Sequence, residues 1–291
     1  MTQPAHPVNA ESPIGIFDSG VGGLSVLRHV HAQLPHEHLI YFADSGHAPY
    51  GDREEEWVIQ RSLAVAAFLF GQGVKALVVA CNTATVAAIK AIRTQWPGVP
   101  IVGVEPGLKP GAAATRSGKV GVLATDRTLH GEKFLSLRDQ VTAATQAEFL
   151  LQPCIGLVDQ IELGQLGSAG TMALLEQYVV PLLDRGADTL VLGCTHYPLV
   201  QVSIERVVRR YTDDMVTLID TGDAVARQLA RLLEASSLLR GADDQPSRLT
   251  GFTSASREAL RAAFNTLLGQ DPPVHEVEIS LPLPGSTATH I

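Results

Sequence analysis

Ala76-Leu77-Val78-Val79-Ala80-Cys81-Asn82-Thr83 and Thr189-Leu190-Val191-Leu192-Gly193-Cys194-Thr195-His196 follow one plan. In each, a buried-strand run ends in a cysteine and a polar pair, and a helical pattern follows. Upstream of each lies a second matching piece, Ile14-Gly15-Ile16-Phe17-Asp18 and Val120-Gly121-Val122-Leu123-Ala124, where a strand again opens into a polar loop. Short apolar runs at 14–17, 39–43, 76–80, 101–104, 120–124, 148–151, 189–193 and 217–219 alternate with helical segments. That alternation predicts a parallel-sheet α/β protein. Glu54, Glu55 and Glu56 open a helix running to about Phe70, with acidic side chains at the positive end of its dipole. Another helix begins near Thr83, with Ala84, Ala87, Ala88 and Ala91 at spacings that let one face pack closely on the sheet.

The chain therefore reads as two similar α/β halves, each built on a parallel sheet. Pro106, Gly107, Pro110 and Gly111 interrupt the pattern between them. Residues 1–105 are expected to form the first domain, completed by 220–291, and residues 106–219 the second. The returning segment reads as a helix over 221–239, a strand over 249–252, a helix over 257–268 and an alternating edge strand over 274–281. The ends, 1–12 and 283–291, are polar or contain Pro and Gly, and are expected to be mobile.

Composition narrows the function classes. With 291 residues, 45% hydrophobic and 18% charged, the chain has enough apolar material for one large core or two ordinary ones, which excludes a disordered or fibrous protein. Its 22 Lys and Arg against 30 Asp and Glu give a net charge of −8, the wrong sign for a protein that draws its affinity from phosphates, so nucleic acid is not expected as a substrate. The longest apolar stretches are of strand length and the first residues lack an export signal, so no membrane association and a soluble, cytoplasmic protein are expected. Cys81, Cys154 and Cys194 show no CxxC spacing, so neither a disulfide framework nor a structural zinc site is expected.

In open parallel sheets ligands sit beyond the carboxyl ends of the strands. The polar residues there are Asp18-Ser19, Asp44-Ser45, Pro49-Tyr50-Gly51, Cys81-Asn82-Thr83, Thr125-Asp126, Cys194-Thr195-His196 and Asp220-Thr221. Cys81 and Cys194 stand out because they occupy the same position in each half. A cysteine between a strand and a helix has its thiolate favoured by the helix dipole, which lowers its pKa below the free value of about 8.5. His196 could exchange a proton with Cys194, and Asp18 could do the same beside Cys81 or orient a substrate amine. Free cysteine is also common core filler, and Cys154, which lacks a counterpart, is read that way. His29, His31, His36 and His38 resemble a metal cluster, but their irregular spacing points to a solvated surface and no metal. In Gly20-Val21-Gly22-Gly23-Leu24-Ser25 the GxGxxG fingerprint fails at Ser25, and no phosphate loop occurs, so no nucleotide cofactor is indicated.

These residues resemble those of the glutamate racemases, a cofactor-independent group within the aspartate/glutamate racemase superfamily. The resemblance is carried by Ile16-Phe17-Asp18-Ser19-Gly20-Val21-Gly22-Gly23-Leu24, Tyr41-Phe42-Ala43-Asp44-Ser45, Pro49-Tyr50-Gly51, Ala80-Cys81-Asn82-Thr83-Ala84 and Leu192-Gly193-Cys194-Thr195-His196-Tyr197-Pro198-Leu199. It implies two pseudosymmetric domains with an active site in the cleft between them. It also implies Cys81 and Cys194 as the acid/base pair, aided by Asp18 and His196. By the same matching Asp18, Ser19, Pro49, Tyr50, Gly51, Asn82, Thr83, Thr195 and His196 line a glutamate site. Glu162 is either a further proton-handling helper or a carboxylate on a helix surface. The physiology implied is D-glutamate supply for peptidoglycan, and a homodimer is one arrangement to test. The motifs hold almost no Lys or Arg, so backbone N–H groups, hydroxyls and amides are expected to bind the substrate carboxylates. Another amino-acid racemase, such as one for aspartate, and a non-catalytic regulatory protein that keeps the cleft are the alternatives.

Overall fold

The computed structural model describes residues 8–242 and 246–281. Its strands are β1 (Ile14–Asp18), β2 (Leu39–Ala43), β3 (Ala76–Val79), β4 (Ile101–Gly103), β5 (Lys119–Ala124), β6 (Glu148–Pro153), β7 (Thr189–Leu192), β8 (Thr217–Ile219), β9 (Leu249–Thr253) and β10 (Val274–Glu276). They form two sheets, ordered β10-β9-β2-β1-β3-β4 and β6-β5-β7-β8, in which every pairing is parallel. The order β2-β1-β3-β4 is repeated as β6-β5-β7-β8, so the likeness of the two cysteine segments extends to the position of their strands.

The unbroken apolar runs are explained by burial on both faces. β1, β3 and β7 are buried throughout. On one face of the first sheet Ile14, Ile16 and Val78 pack with Val26, Leu27 and Val30 of the helix Leu24–Gln33. On the other, Phe17, Leu77 and Val79 pack with Val65 and Leu69 of Glu55–Gly71 and with Ile89 of Asn82–Gln95. The second sheet is covered in the same way, Leu190 and Leu192 facing one cluster and Val120, Val122 and Val191 the other.

After β8 the chain returns to the first sheet. Val225, Ala226, Leu229 and Leu233 of the helix Gly222–Ala235 join the core around β1, and β9 pairs with β2. β10 is shorter than its alternation predicts. The Val277 N–H still reaches Thr253 O at 2.8 Å, but β9 ends there and offers no further partner. Val277 and Ile279 instead fold against the cluster holding Phe42 and Val58.

Of the ends expected to be mobile, 1–7 and 283–291 lie outside the described residues. Residues 9–12 form a turn held against the body: Lys75 Nζ donates to Ala10 O at 2.5 Å and Arg240 Nε to Glu11 at 2.8 Å. Lys75 also pairs with Glu37 at 2.5 Å, both side chains fully buried. This charged group sits at the amino ends of β1 and β3, away from the strand ends that carry the candidate site. Of the four histidines His36 is exposed, as expected of a solvated set, His29 and His31 are half-buried, and His38 departs from it. His38 is buried and its Nδ1 accepts from the Arg248 N–H at 3.0 Å; burial and the charges of Arg240 and Arg248 hold its pKa down. His29 pairs with Asp220 at 3.2 Å.

Candidate active site

The loops after β1, β3 and β7 bring Asp18, Ser19, Cys81, Cys194, Thr195 and His196 together. Cys81 is the N-cap of Asn82–Gln95: its Sγ accepts from the Ala84 N–H at 3.5 Å and donates to Ser19 Oγ at 3.6 Å. Cys194 follows β7, but the helix expected next is preceded by a 3-10 turn at Tyr197–Val200. Its Sγ lies 3.6 Å from His196 Nδ1. The loops are fastened across the cleft, with Thr195 Oγ1 donating to Asp18 Oδ1 at 3.1 Å and Ser25 Oγ donating to Thr195 O at 2.8 Å.

Glu162 ends the helix Leu157–Glu162 and is not a helix-surface carboxylate. Its Oε1 is 2.6 Å from His196 Nε2 and accepts from the Val21 N–H at 2.7 Å, while Oε2 lies 3.5 Å from Ser45 Oγ. Little in the chain marks this role locally, because Glu162 is remote from any strand-end motif. The glycines of the β1 loop make room for it. A Cβ at Gly20 would lie 1.8 Å from Glu162 Oε1, and one at Gly22 would lie 2.3 Å from His196 Nδ1. The bare loop thus fits the opposite half rather than a phosphate.

The two sulfurs have different surroundings. Burial, then the charge of Asp18, pushes Cys81 up to about 12, overriding the Ala84 N–H and Ser19 contacts that act the other way. This reverses the lowered pKa expected from the helix start: almost complete burial outweighs the dipole. Cys194 also contributes electrostatically to the rise, so the sulfurs lie within electrostatic reach of each other. At His196 burial opposes the charged ring, but contacts with Cys194 and Glu162 carry its pKa well above the ordinary value. Glu162 is also opposed by burial, and its His196 contact holds it low. The pair is therefore an imidazolium and a carboxylate. Asp18 is shifted up, mainly by burial.

Tyr50 does not present its ring to the cleft. The ring is buried and its hydroxyl donates to Asp44 Oδ2 at 2.5 Å, so the backbone of 49–51 and the half-buried Pro49 ring are left to meet a ligand. Pro49 and Gly51 border a cavity of about 30 Å³ shared with Thr125, Gly156 and Asp159. Asn82 has both side-chain polar atoms buried without a partner among the described residues, and an amide in that position is suited to a bound carboxylate or ammonium. Thr83 Oγ1 lies 3.0 Å from Thr125 Oγ1 and 3.3 Å from Thr128 Oγ1, a hydroxyl cluster in which Thr128 was not foreseen. Cys154 is buried in the second core, where burial raises its pKa. Among the described residues no three His, Cys, Asp or Glu side chains are grouped to hold a metal, and no helix is long and apolar enough to cross a membrane.

Chemically, the cleft offers two thiols rooted in equivalent strand ends, one beside a carboxylate and the other beside an imidazolium. Known proteins resemble this chain over most of its length. Residues 14–229 match the family described as Asp/Glu/Hydantoin racemase. A glutamate racemase of Ectopseudomonas mendocina is 49% identical over 267 residues, covering 91% of this chain and 98% of that protein. The solved glutamate racemase isoform of Bacillus anthracis superposes with a TM-score of 0.82 at 31% identity, over 93% of this chain and 98% of that one. The Francisella tularensis glutamate racemase, solved with D-glutamate, superposes with a TM-score of 0.79 at 27% identity, over the same 93% and 98%.

Proposed function

Because the chain belongs to the Asp/Glu/Hydantoin racemase family, we propose that its cleft interconverts L- and D-glutamate by proton transfer between two thiols, without a cofactor. The placement of Cys81 and Cys194 at equivalent strand ends of the two sheets carries this reading. A single base would have to remove the α-proton from one face and return it to the other; two opposed sulfurs avoid that movement.

With D-glutamate, Cys81 acts as thiolate and takes the α-proton while Cys194 donates from the opposite face; with L-glutamate the roles reverse. Cys81 rests as a thiol, since burial and Asp18 disfavour its anion. A substrate ammonium placed against Asp18 cancels the second of these effects and so eases ionisation of Cys81. On the other side, His196 can hand a proton to Cys194 or stabilise its anion, and Glu162 holds the ring for that task. Ser19, Asn82, Thr83, Thr195 and the backbone of 49–51 bind the carboxylates and stabilise the charge that develops at the α-carbon. Both sulfurs are almost completely covered, so the halves part to admit substrate. Two working free thiols suit a reducing cytoplasm, where D-glutamate would be supplied for peptidoglycan; a homodimer is checked by sedimentation.

The test is incubation with L-glutamate in deuterated water, with L-aspartate in parallel. Deuterium at the α-carbon of the D-glutamate formed is expected, with aspartate turned over far more slowly. Protium retained at that carbon removes the two-thiol scheme, and a preference for aspartate removes the substrate assignment. Cys81→Ala and Cys194→Ala should each abolish racemisation.

A further inference from the structure

Behind the 49–51 backbone lies a buried charged group that the proton-transfer scheme does not use. The Asp44 carboxylate follows β2 and is completely buried. Arg61 on the helix Glu55–Gly71 grips it with two of its three guanidinium nitrogens, Nε to Oδ2 at 2.7 Å and Nη2 to Oδ1 at 2.6 Å. Tyr50 OH donates to the same Oδ2 at 2.5 Å, and His47 Nδ1 lies 3.2 Å from Oδ1. The remaining arm of Arg61, Nη1, donates to Ile279 O in the segment after β10. Arg61 is 1% exposed, so water cannot replace these partners.

The network ties three distant pieces of chain to one carboxylate. Asp44 is fixed to the β1 loop through its own N–H, which donates to Asp18 O at 3.0 Å. The Tyr50 hydroxyl then fixes the turn Tyr50–Asp52, and the ring is braced by an edge-on contact with Trp57 at 5.5 Å. Gly51 faces the other half so closely that a Cβ there would lie 3.0 Å from Thr125 Cβ. A small displacement of Tyr50 is therefore passed directly to the backbone lining the cleft. Arg61 also neutralises a carboxylate that would otherwise stand as buried negative charge near an anionic substrate.

We infer that Arg61 is a positioning residue for substrate binding: through Asp44 and Tyr50 it sets the 49–51 backbone, and through Ile279 it makes the segment after β10 part of that setting. This rests on the glutamate reading for its substrate, but not for its geometry. A bidentate grip is specific to arginine, since lysine offers a single point charge. Arg61→Lys keeps the charge and loses the fork.

The experiment compares wild type, Arg61→Lys and Tyr50→Phe in the full chain, by racemisation kinetics and by amide hydrogen exchange. Both variants should raise KM for glutamate about tenfold or more while kcat stays within about threefold, because binding geometry changes and the sulfurs do not. Exchange should quicken in 48–54 and, for Arg61→Lys only, in 274–281, with 82–95 unaffected. Tyr50→Phe removes one hydroxyl and keeps the ring, so it reports even where Arg61→Lys is poorly folded. A fall in kcat with KM unchanged, unaltered kinetics in both variants, or uniformly faster exchange across the chain overturns the inference. If wild type fails to racemise glutamate, the functional reading falls, and the exchange pattern alone then decides whether Arg61 holds the turn.

Discussion

Replacing Gly22 by alanine tests whether the bare β1 loop exists to seat His196. The added Cβ would lie 2.3 Å from Nδ1 and 2.6 Å from both Cε1 and Cγ, whereas ordinary contact begins at 3.4 Å, so the ring must retreat by 3.4 − 2.3 = 1.1 Å. It has little room to do so, because His196 is 2% exposed and is held at 2.6 Å by Glu162 and at 3.6 Å by Cys194. A displacement of that size at a proton-handling group lowers kcat/KM by about 100-fold, or about 2.7 kcal/mol. Overpacking should also reduce stability by about 1–3 kcal/mol. Enantiomers have equal free energies, so the equilibrium constant is one and kcat/KM must fall equally in the L-to-D and D-to-L directions. Circular dichroism of glutamate follows both directions, and thermal melts show whether the variant is folded. Gly71→Ala is the control, since a Cβ there meets nothing within 4 Å and its activity should match wild type. A folded Gly22→Ala enzyme with kcat/KM within about threefold of wild type would refute the reasoning.

Glu162→Gln should be most destabilising between the ordinary values of 4.5 for Glu and 6.5 for His. The folded pKa of Glu162 is depressed, so its contribution is present above 4.5 and fades as pH falls through the lower folded value. That of His196 is raised, so its contribution is complete below 6.5 and fades as pH rises through the higher folded value. Melting temperatures of variant and wild type across pH check this; a difference that is flat with pH counts against the ion pair. Lys75→Met takes the cation away from the buried Glu37 carboxylate, whose Oε1 keeps the Arg240 N–H at 2.9 Å, and should cost about 3 kcal/mol in denaturant titrations. Its kcat/KM below the transition should match wild type, because the pair lies at the far ends of the strands; a specific loss of activity there would be inconsistent with that placement.

The fold was readable because strands buried on both faces leave continuous apolar runs, and because each cysteine segment repeats the same grammar. Where reading failed, the deciding contact was distant along the chain. Glu162 looks like any carboxylate on a short helix until the β1 loop of the other half comes within 2.7 Å. Arg61 sits in an apolar helix with nothing local to mark its grip on Asp44 or on Ile279. The strand over 274–281 was overestimated because alternation records burial of Val277 and Ile279, not whether β9 is long enough to pair with them. For Cys81 the error was one of magnitude, since local position suggested a dipole effect and only the assembled cleft revealed the greater effect of burial.

The strand order places β4 and β8 at corresponding edges of their sheets, and the chain passes from one sheet to the other just after each. Both crossings wall a single crevice of about 410 Å³, with Glu105, Pro106 and Gly107 from the first and Thr221 and Ala224 from the second. Two tethers lying side by side behave as one pivot: they allow swinging about their line and resist sliding. Displacement in such a swing grows with the length of the lever arm. Glu162 follows β6, at the opposite edge of the second sheet, so its grip on Val21 fastens the two halves on the side away from that pivot.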